Sequence, residues 1–127
     1  MDLTAPATAQ NATALRRAFR QWVQALVGDD TTNDLTLAVY EALANAAEHA
    51  FTAHTTPGCI GLHATATNSQ ITITITDNGT WRSPDNCPGY RGRGLPLIHH
   101  LTTWAHIELT TQGTTVRIRH QHPPHTG

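Results

Sequence analysis

The sequence predicts an α+β domain, a two-layer sandwich in which helices cover one face of a mostly antiparallel sheet. Two segments with helical periodicity come first, and two pairs of alternating, strand-like segments follow, separated by a stretch rich in Gly, Pro and Asn. The chain has 127 residues, of which 39% are hydrophobic. That length suits one core, so residues 1–127 are expected to form a single domain with a frayed tail from about residue 120.

Composition and charge exclude several classes of function. The formal net charge is -1 and the pI is about 6.7, so the chain has no net positive field to collect nucleic acid or an anionic membrane surface. No apolar run approaches the roughly 18 residues that span a bilayer, and the N-terminal segment lacks the pattern of a signal peptide. We therefore expect a cytoplasmic protein that binds neither nucleic acid nor membrane directly.

Two helices are predicted in the first half of the chain. Apolar residues recur at helical spacing from about Ala12 to Val27, and Gly28 ends this helix. After a polar turn, a second helix is expected to start at an N-cap, Thr32 or Asn33, and to run to about Phe51. No strand is expected before Ala12.

Two hairpins are predicted in the second half. The stretch CIGLHATATNSQITITIT alternates apolar and polar residues on both sides of a turn at Asn68-Ser69, and IEL pairs with TTVRIRH across TQG. Between the hairpins, the sequence predicts an 18-residue loop, DNGTWRSPDNCPGYRGRG, and a short apolar helix, LPLIHHL. A loop of that length in a compact domain is usually functional or disordered.

A polar ladder in the second helix is the first candidate site. Glu41, Asn45 and His49 recur every four residues in YEALANAAEHAF, and at about 100° per residue Glu41 and Asn45 lie about a quarter-turn beside the apolar stripe. Most helical glutamates are simply solvated. A carboxylate and an amide at the rim of the core nevertheless favour a helix edge that faces a ligand.

Two further segments strengthen this interpretation. An apolar strand ends on Asp77 and is followed by Gly79, which puts a carboxylate at the rim of the sheet, where it can accept a hydrogen bond from an amine. Downstream, glycines, which have no side chain to block a ligand, precede a helix that starts near Pro96. The free backbone N–H groups of its first turn are suited to bind phosphate.

These motifs, in this order, resemble those of the Bergerat-fold ATPases, which include gyrase, histidine kinases and MutL. The motifs are the Glu41-to-His49 ladder, the Asp77-x-Gly79 turn, Gly92-Arg93-Gly94-Leu95 and the GTTV stretch that contains Thr115. Within that superfamily, residues 11 to 119 look most like the small serine-kinase anti-sigma factors of the RsbW and SpoIIAB type.

The resemblance implies a role for each matching residue. Glu41 would be the general base, and Asn45 would ligate the Mg²⁺ that accompanies ATP. Asp77 would accept the adenine amino group, and Gly79 would let the base approach the backbone. The remaining ATP-binding residues would be His49 in the ladder, Gly92, Arg93, Gly94 and Leu95 on the phosphate side, and Thr115 near the adenine.

Two functions follow from the resemblance. The first is a serine/threonine kinase and anti-sigma factor that phosphorylates a STAS-type antagonist protein, holds a sigma factor and forms a homodimer, as relatives commonly do. The second is a nucleotide-sensing module without kinase activity. Glu41 favours the kinase, because a module that only binds ATP needs no base there. Trp81, which replaces the second glycine of the common Asp-x-Gly-x-Gly pattern, leaves room for the module.

Overall fold

The computed structural model describes residues 1–52, 58–77, 104–110 and 113–121. The described strands form one antiparallel sheet in the order β1-β2-β3-β5-β4, and the two described helices supply the second layer. This confirms the predicted α+β sandwich. In chain order the elements are β1 (Asp2–Pro6), α1 (Ala9–Gln24), α2 (Asp29–Thr52), β2 (Cys59–Ala66), β3 (Gln70–Asp77), β4 (Trp104–Thr110) and β5 (Gly113–Gln121).

Helix α1 begins three residues before the predicted start because a side chain caps it. The Thr8 hydroxyl accepts a hydrogen bond from the backbone N–H of Asn11 at 3.0 Å, which satisfies one of the free donors of the first turn. Leu15 and Phe19 lie on the buried side of the helix, as their spacing predicted, and Ala12 and Val23 are buried there as well.

Helix α2 also begins before its predicted start. The backbone N–H of Thr32 donates to the carbonyl of Gly28 at 2.9 Å, so Thr32 already lies inside the helix, and its side chain is buried. The prediction of an N-cap at Thr32 or Asn33 is therefore wrong. Asp29 and Asp30 occupy the first turn instead, where negative charge is favourable beside the positive end of the helix dipole.

The first strand corrects the expectation that no strand precedes Ala12. Strand β1 pairs with β2 in the register from Asp2↔His63 to Pro6↔Cys59 and forms one edge of the sheet. Its five residues alternate between exposed and half-buried, and Leu3 and Ala5 are the two apolar side chains on the inner side. Pro6, at the end of this edge strand, interrupts no internal ladder.

The two predicted hairpins are present. In β2 and β3 the apolar residues face the helices, and the threonines of β3 lie on the opposite face. The turn between β4 and β5 ends at Gly113, whose φ of 144° is a conformation that L side chains rarely adopt. No helix in the described part of the chain is long and apolar enough to cross a membrane.

The core lies between α2, α1 and the inner face of the sheet. Small residues dominate the side of α2 that meets the sheet, whereas isoleucines dominate the central strand β3. The fully buried side chains of largest volume are Phe19, Leu35, Leu43, Ile60, Leu62, Ile71, Ile73, Ile75, Ile118, Val23 and Val39.

Candidate functional site

The polar ladder of α2 lies at the rim of the core, as predicted. Glu41 and Asn45 are half-buried, whereas Ala38, Ala42 and Ala46 beside them are buried. The Nδ2 atom of Asn45 is hidden from solvent and has no hydrogen-bond partner among the described residues. Buried amides normally have a partner, so the Asn45 side chain is suited to a further polar group, such as a ligand.

His49 continues this ladder by one helical turn. Its backbone belongs to α2, and its side chain lies outside the described part of the structure. Its predicted contact with the nucleotide therefore stays a prediction.

Asp77 occupies the end of the central strand β3. It is 8% exposed, and its Oδ2 atom is hidden from solvent. Its register partners are Ile60 on β2 and Thr114 on β5, so the carboxylate lies between two neighbouring strands on the face that the helices cover. A carboxylate in this position can accept hydrogen bonds from a ligand at the rim of the sheet.

Thr114, not Thr115, shares that face with Asp77. Side chains alternate along a strand, and Thr114 has the same parity as the buried residues Val116 and Ile118. Thr115 is the register partner of Thr76 and lies on the opposite face. Sequence reasoning missed Thr114, although counting back in steps of two from Ile118 would have found it.

The α2 ladder and Asp77 are brought toward the same end of the sandwich. The chain leaves α2 at Thr52 and enters β2 at Cys59, and Ile60, the next residue, is the register partner of Asp77. Because α2 also packs directly on β2 and β3, its C-terminal half and the end of β3 share one end of the fold. Two elements that are distant in sequence therefore supply the polar groups of the candidate site.

The predicted phosphate-side residues cannot be placed. Gly79, Gly92, Arg93, Gly94 and Leu95 all lie outside the described residues. Their assignments stay predictions.

A cavity of about 450 Å³ lies elsewhere, between the start of α1 and the C-terminal half of α2. Glu41, Asn45 and Asp77 are not among the residues that line it. The predicted site residues therefore do not form this cavity. Its lining residues are Ala7, Thr8, Ala9, Ala12, Tyr40, Ala44, Ala47 and Glu48.

Comparison with known families covers nearly the whole chain. The model of a family described as the histidine kinase-like ATPase domain matches residues 5–120. That range contains every residue of the candidate site.

Solved structures with a similar fold come from sensor and regulatory proteins. The RsbU and RsbW domains of Rv1364c from Mycobacterium tuberculosis match with a TM-score of 0.70 and 22% identity, over 98% of this chain and 34% of that chain. The histidine kinase domain of the Erythrobacter litoralis EL346 blue-light activated histidine kinase matches with a TM-score of 0.60 and 21% identity, over 90% of this chain and 60% of that chain.

A third similar structure is the mycobacterial sensor histidine kinase MprB, with a TM-score of 0.58 and 19% identity, over 98% of this chain and 100% of that chain. This chain spans about a third of the Rv1364c structure and 60% of the Erythrobacter one. At these identities the likeness is one of fold.

Proposed function

The chain belongs to the family of histidine kinase-like ATPase domains, and from this premise we propose that it is a protein serine/threonine kinase that acts as an anti-sigma factor. In this proposal it uses ATP and Mg²⁺ to phosphorylate a STAS-type antagonist protein, and it sequesters a sigma factor when the antagonist is phosphorylated. It works in the cytoplasm as a homodimer.

The placement of Glu41 carries the proposal. A half-buried carboxylate stands one helical turn before Asn45, in the half of α2 that leads toward β2 and the register partner of Asp77. A domain that only binds a nucleotide needs a group for the base and groups for the phosphates, but no proton acceptor for an incoming hydroxyl. This supports Glu41 as such an acceptor.

The other polar groups fit an adenine nucleotide. The buried Asp77 carboxylate can accept from the adenine amino group, with the Thr114 hydroxyl on the same face of the sheet. The amide of Asn45 offers a hard oxygen of the kind that Mg²⁺ prefers, and its Nδ2 has no other partner among the described residues. When bound, the metal would neutralise phosphate charge, which is most of what phosphoryl transfer requires.

The anti-sigma role is supported by the fold comparison. This chain matches the structure of the RsbU and RsbW domains of Rv1364c over 98% of its own length. It also matches sensor histidine kinases. A separate protein with an acceptor hydroxyl is the partner that we favour.

A nucleotide-sensing module is the second candidate. Trp81 takes the place of a glycine that relatives commonly have after the Asp77 turn. A bulky residue there favours a domain in which ATP orders the neighbouring loop for a partner, without transfer of phosphate.

Two substitutions on one helix distinguish these functions. Glu41→Gln keeps the shape and hydrogen-bonding capacity of the side chain but cannot take a proton, so ATP affinity should stay within a few-fold. Transfer from labelled ATP to STAS-type proteins should fall about 10²–10⁴-fold, the usual worth of general-base catalysis. Asn45→Ala should instead weaken Mg²⁺-dependent ATP binding, measured by calorimetry.

Glu48→Gln is the matched control. Glu48 is an exposed glutamate on the same helix, so its substitution should leave both transfer and binding unchanged. If Glu41→Gln transferred phosphate as fast as the wild type, Glu41 would not be the base and the nucleotide-sensing module would replace the kinase.

A further inference from the structure

Strand β4 forms one edge of the sheet. Among the described residues it pairs with β5 alone, and no described strand lies along its other side. An open strand edge is a template for a strand from another chain, and proteins usually protect such edges with proline, charge or a bulge.

The two edges of the sheet differ in this protection. Strand β1 contains Pro6 and the exposed carboxylate of Asp2. Strand β4, WAHIELT, contains no proline, and its one carboxylate, Glu108, is already paired: Nη1 of Arg117 donates to Oε2 of Glu108 at 3.1 Å. The carboxylate of β4 is therefore held by Arg117 of the neighbouring strand, whereas β1 carries a proline.

The outer face of β4 also carries an ordered aromatic cluster. The indole of Trp104 is 40% exposed, and it is stacked with His106 at 5.9 Å between ring centroids and 17° between ring planes. The guanidinium carbon of Arg119 lies 4.5 Å from the Trp104 ring centroid. Trp and Arg are enriched where protein interfaces gain most of their binding energy, and these contacts hold the indole in place before any partner arrives.

We propose that β4 pairs with β4 of a second copy of this chain in an antiparallel register centred on Ile107. Such a pair has twofold symmetry, so each contact occurs twice and the two five-stranded sheets become one continuous sheet. This gives an interface to the homodimer of the proposed function, on which the inference rests.

The sequence of β4 is complementary to itself in this register. His106 lies opposite Glu108 of the partner subunit, and Glu108 lies opposite His106 of the partner subunit, so an imidazole N–H can donate to a carboxylate at two places. On the inner face Ile107 meets its own copy, an apolar contact beside the core of each protomer. Within each protomer Glu108 accepts from Arg117 through Oε2, which leaves Oε1 for the second donor.

The test reverses one member of the pair. His106→Glu places two carboxylates opposite each other at both ends of the interface, and the new side chain still has Arg117 as its register partner within the protomer, so the fold should be retained. Sedimentation equilibrium of the full chain should show a dimer for the wild type and at least about tenfold weaker association for His106→Glu. The double variant His106→Glu/Glu108→His should restore association.

Thr4→Glu, which places the same charge on an exposed position of the other edge strand, is the control and should not change association. The melting temperatures of the variants show that they fold. A monomeric wild type at 100-fold the concentration used for activity overturns the interface, and so does a dimer that His106→Glu leaves intact or that the double variant fails to restore. Phosphate transfer is measured separately, so a failed interface leaves the kinase proposal standing, and a failed kinase leaves the interface standing.

Discussion

Thr114 and Thr115 offer a sharp test of the nucleotide site, because they are neighbours in the chain but lie on opposite faces of the sheet. Thr114 is 3% exposed and is the register partner of Asp77, whereas Thr115 is paired with Thr76 on the outer face. Valine has nearly the shape of threonine without its hydroxyl. Thr114→Val therefore removes one polar group on the face of the sheet that carries the Asp77 carboxylate.

The expected magnitude follows from this burial. A hydrogen bond in which one group is charged contributes about 1.5–3 kcal/mol to the free energy of binding. Nearly all of this is lost on mutation where water cannot take the place of the removed hydroxyl. If the Thr114 hydroxyl and the Asp77 carboxylate together receive the adenine, ATP and ADP should bind about ten- to a hundredfold more weakly to Thr114→Val. Titration calorimetry with ADP and Mg²⁺ measures this change directly.

Thr115→Val is the matched control, since it makes the same chemical change one residue away on the other face. It should leave nucleotide affinity within about twofold of the wild type. Equal losses in the two variants, or no loss in Thr114→Val, would show that the adenine does not lie on the inner face of the sheet beside Asp77. A melting temperature within a few degrees of the wild type would confirm that the loss belongs to binding.

Three other outcomes are expected. GTP has a carbonyl where ATP has an amino group, and that carbonyl would face the Asp77 carboxylate, so GTP should bind roughly a hundredfold more weakly than ATP. Equal affinities in calorimetry would show that Asp77 does not recognise the adenine amino group. A Cβ at Gly61 would lie 2.8 Å from Oγ1 of Thr76, so Gly61→Val should lower the free energy of unfolding in urea by about 1–3 kcal/mol. Adding Thr76→Ala should recover part of this loss, and no recovery would contradict the contact. Thr8→Ala should cost about 1 kcal/mol through the lost cap to Asn11 and leave nucleotide affinity unchanged, and an unaltered unfolding midpoint would contradict the cap.

The parts of the fold that the sequence predicted correctly are those in which one pattern decides the structure. Ile71, Ile73 and Ile75 alternate with threonines, and a one-residue slip of β3 would turn all three isoleucines to solvent. The sequence therefore predicts both that β3 is a strand and which of its faces is buried. The same holds for Leu15 and Phe19 of α1, whose spacing is helical.

The parts that were missed depend on partners distant in the sequence. Strand β1 has five residues, of which Leu3 and Ala5 are half-buried apolar ones, so its pairing with β2 identifies it as a strand more clearly than its own short pattern does. The start of α2 was misplaced because threonine and asparagine favour N-caps, whereas here Thr32 is buried inside the helix by contact with the core. The register with β3 pairs Thr114 with Asp77 and Thr115 with Thr76, so Thr115 lies on the outer face, and its predicted role in ATP binding stays a prediction.

The size of the side chains on α2 connects the core to the candidate site. Ala38, Ala42 and Ala46 are buried on the side of α2 next to Glu41 and Asn45, and the distance between packed elements is set by the side chains at their contact. Alanines therefore let the helix lie close to the sheet, which brings the half-buried Glu41 and Asn45 of its flank toward the strand ends. Larger residues in the stripe would make an equally apolar core but would hold the ladder farther from Asp77. The alanines beside the ladder therefore suit the proposed site as well as the fold.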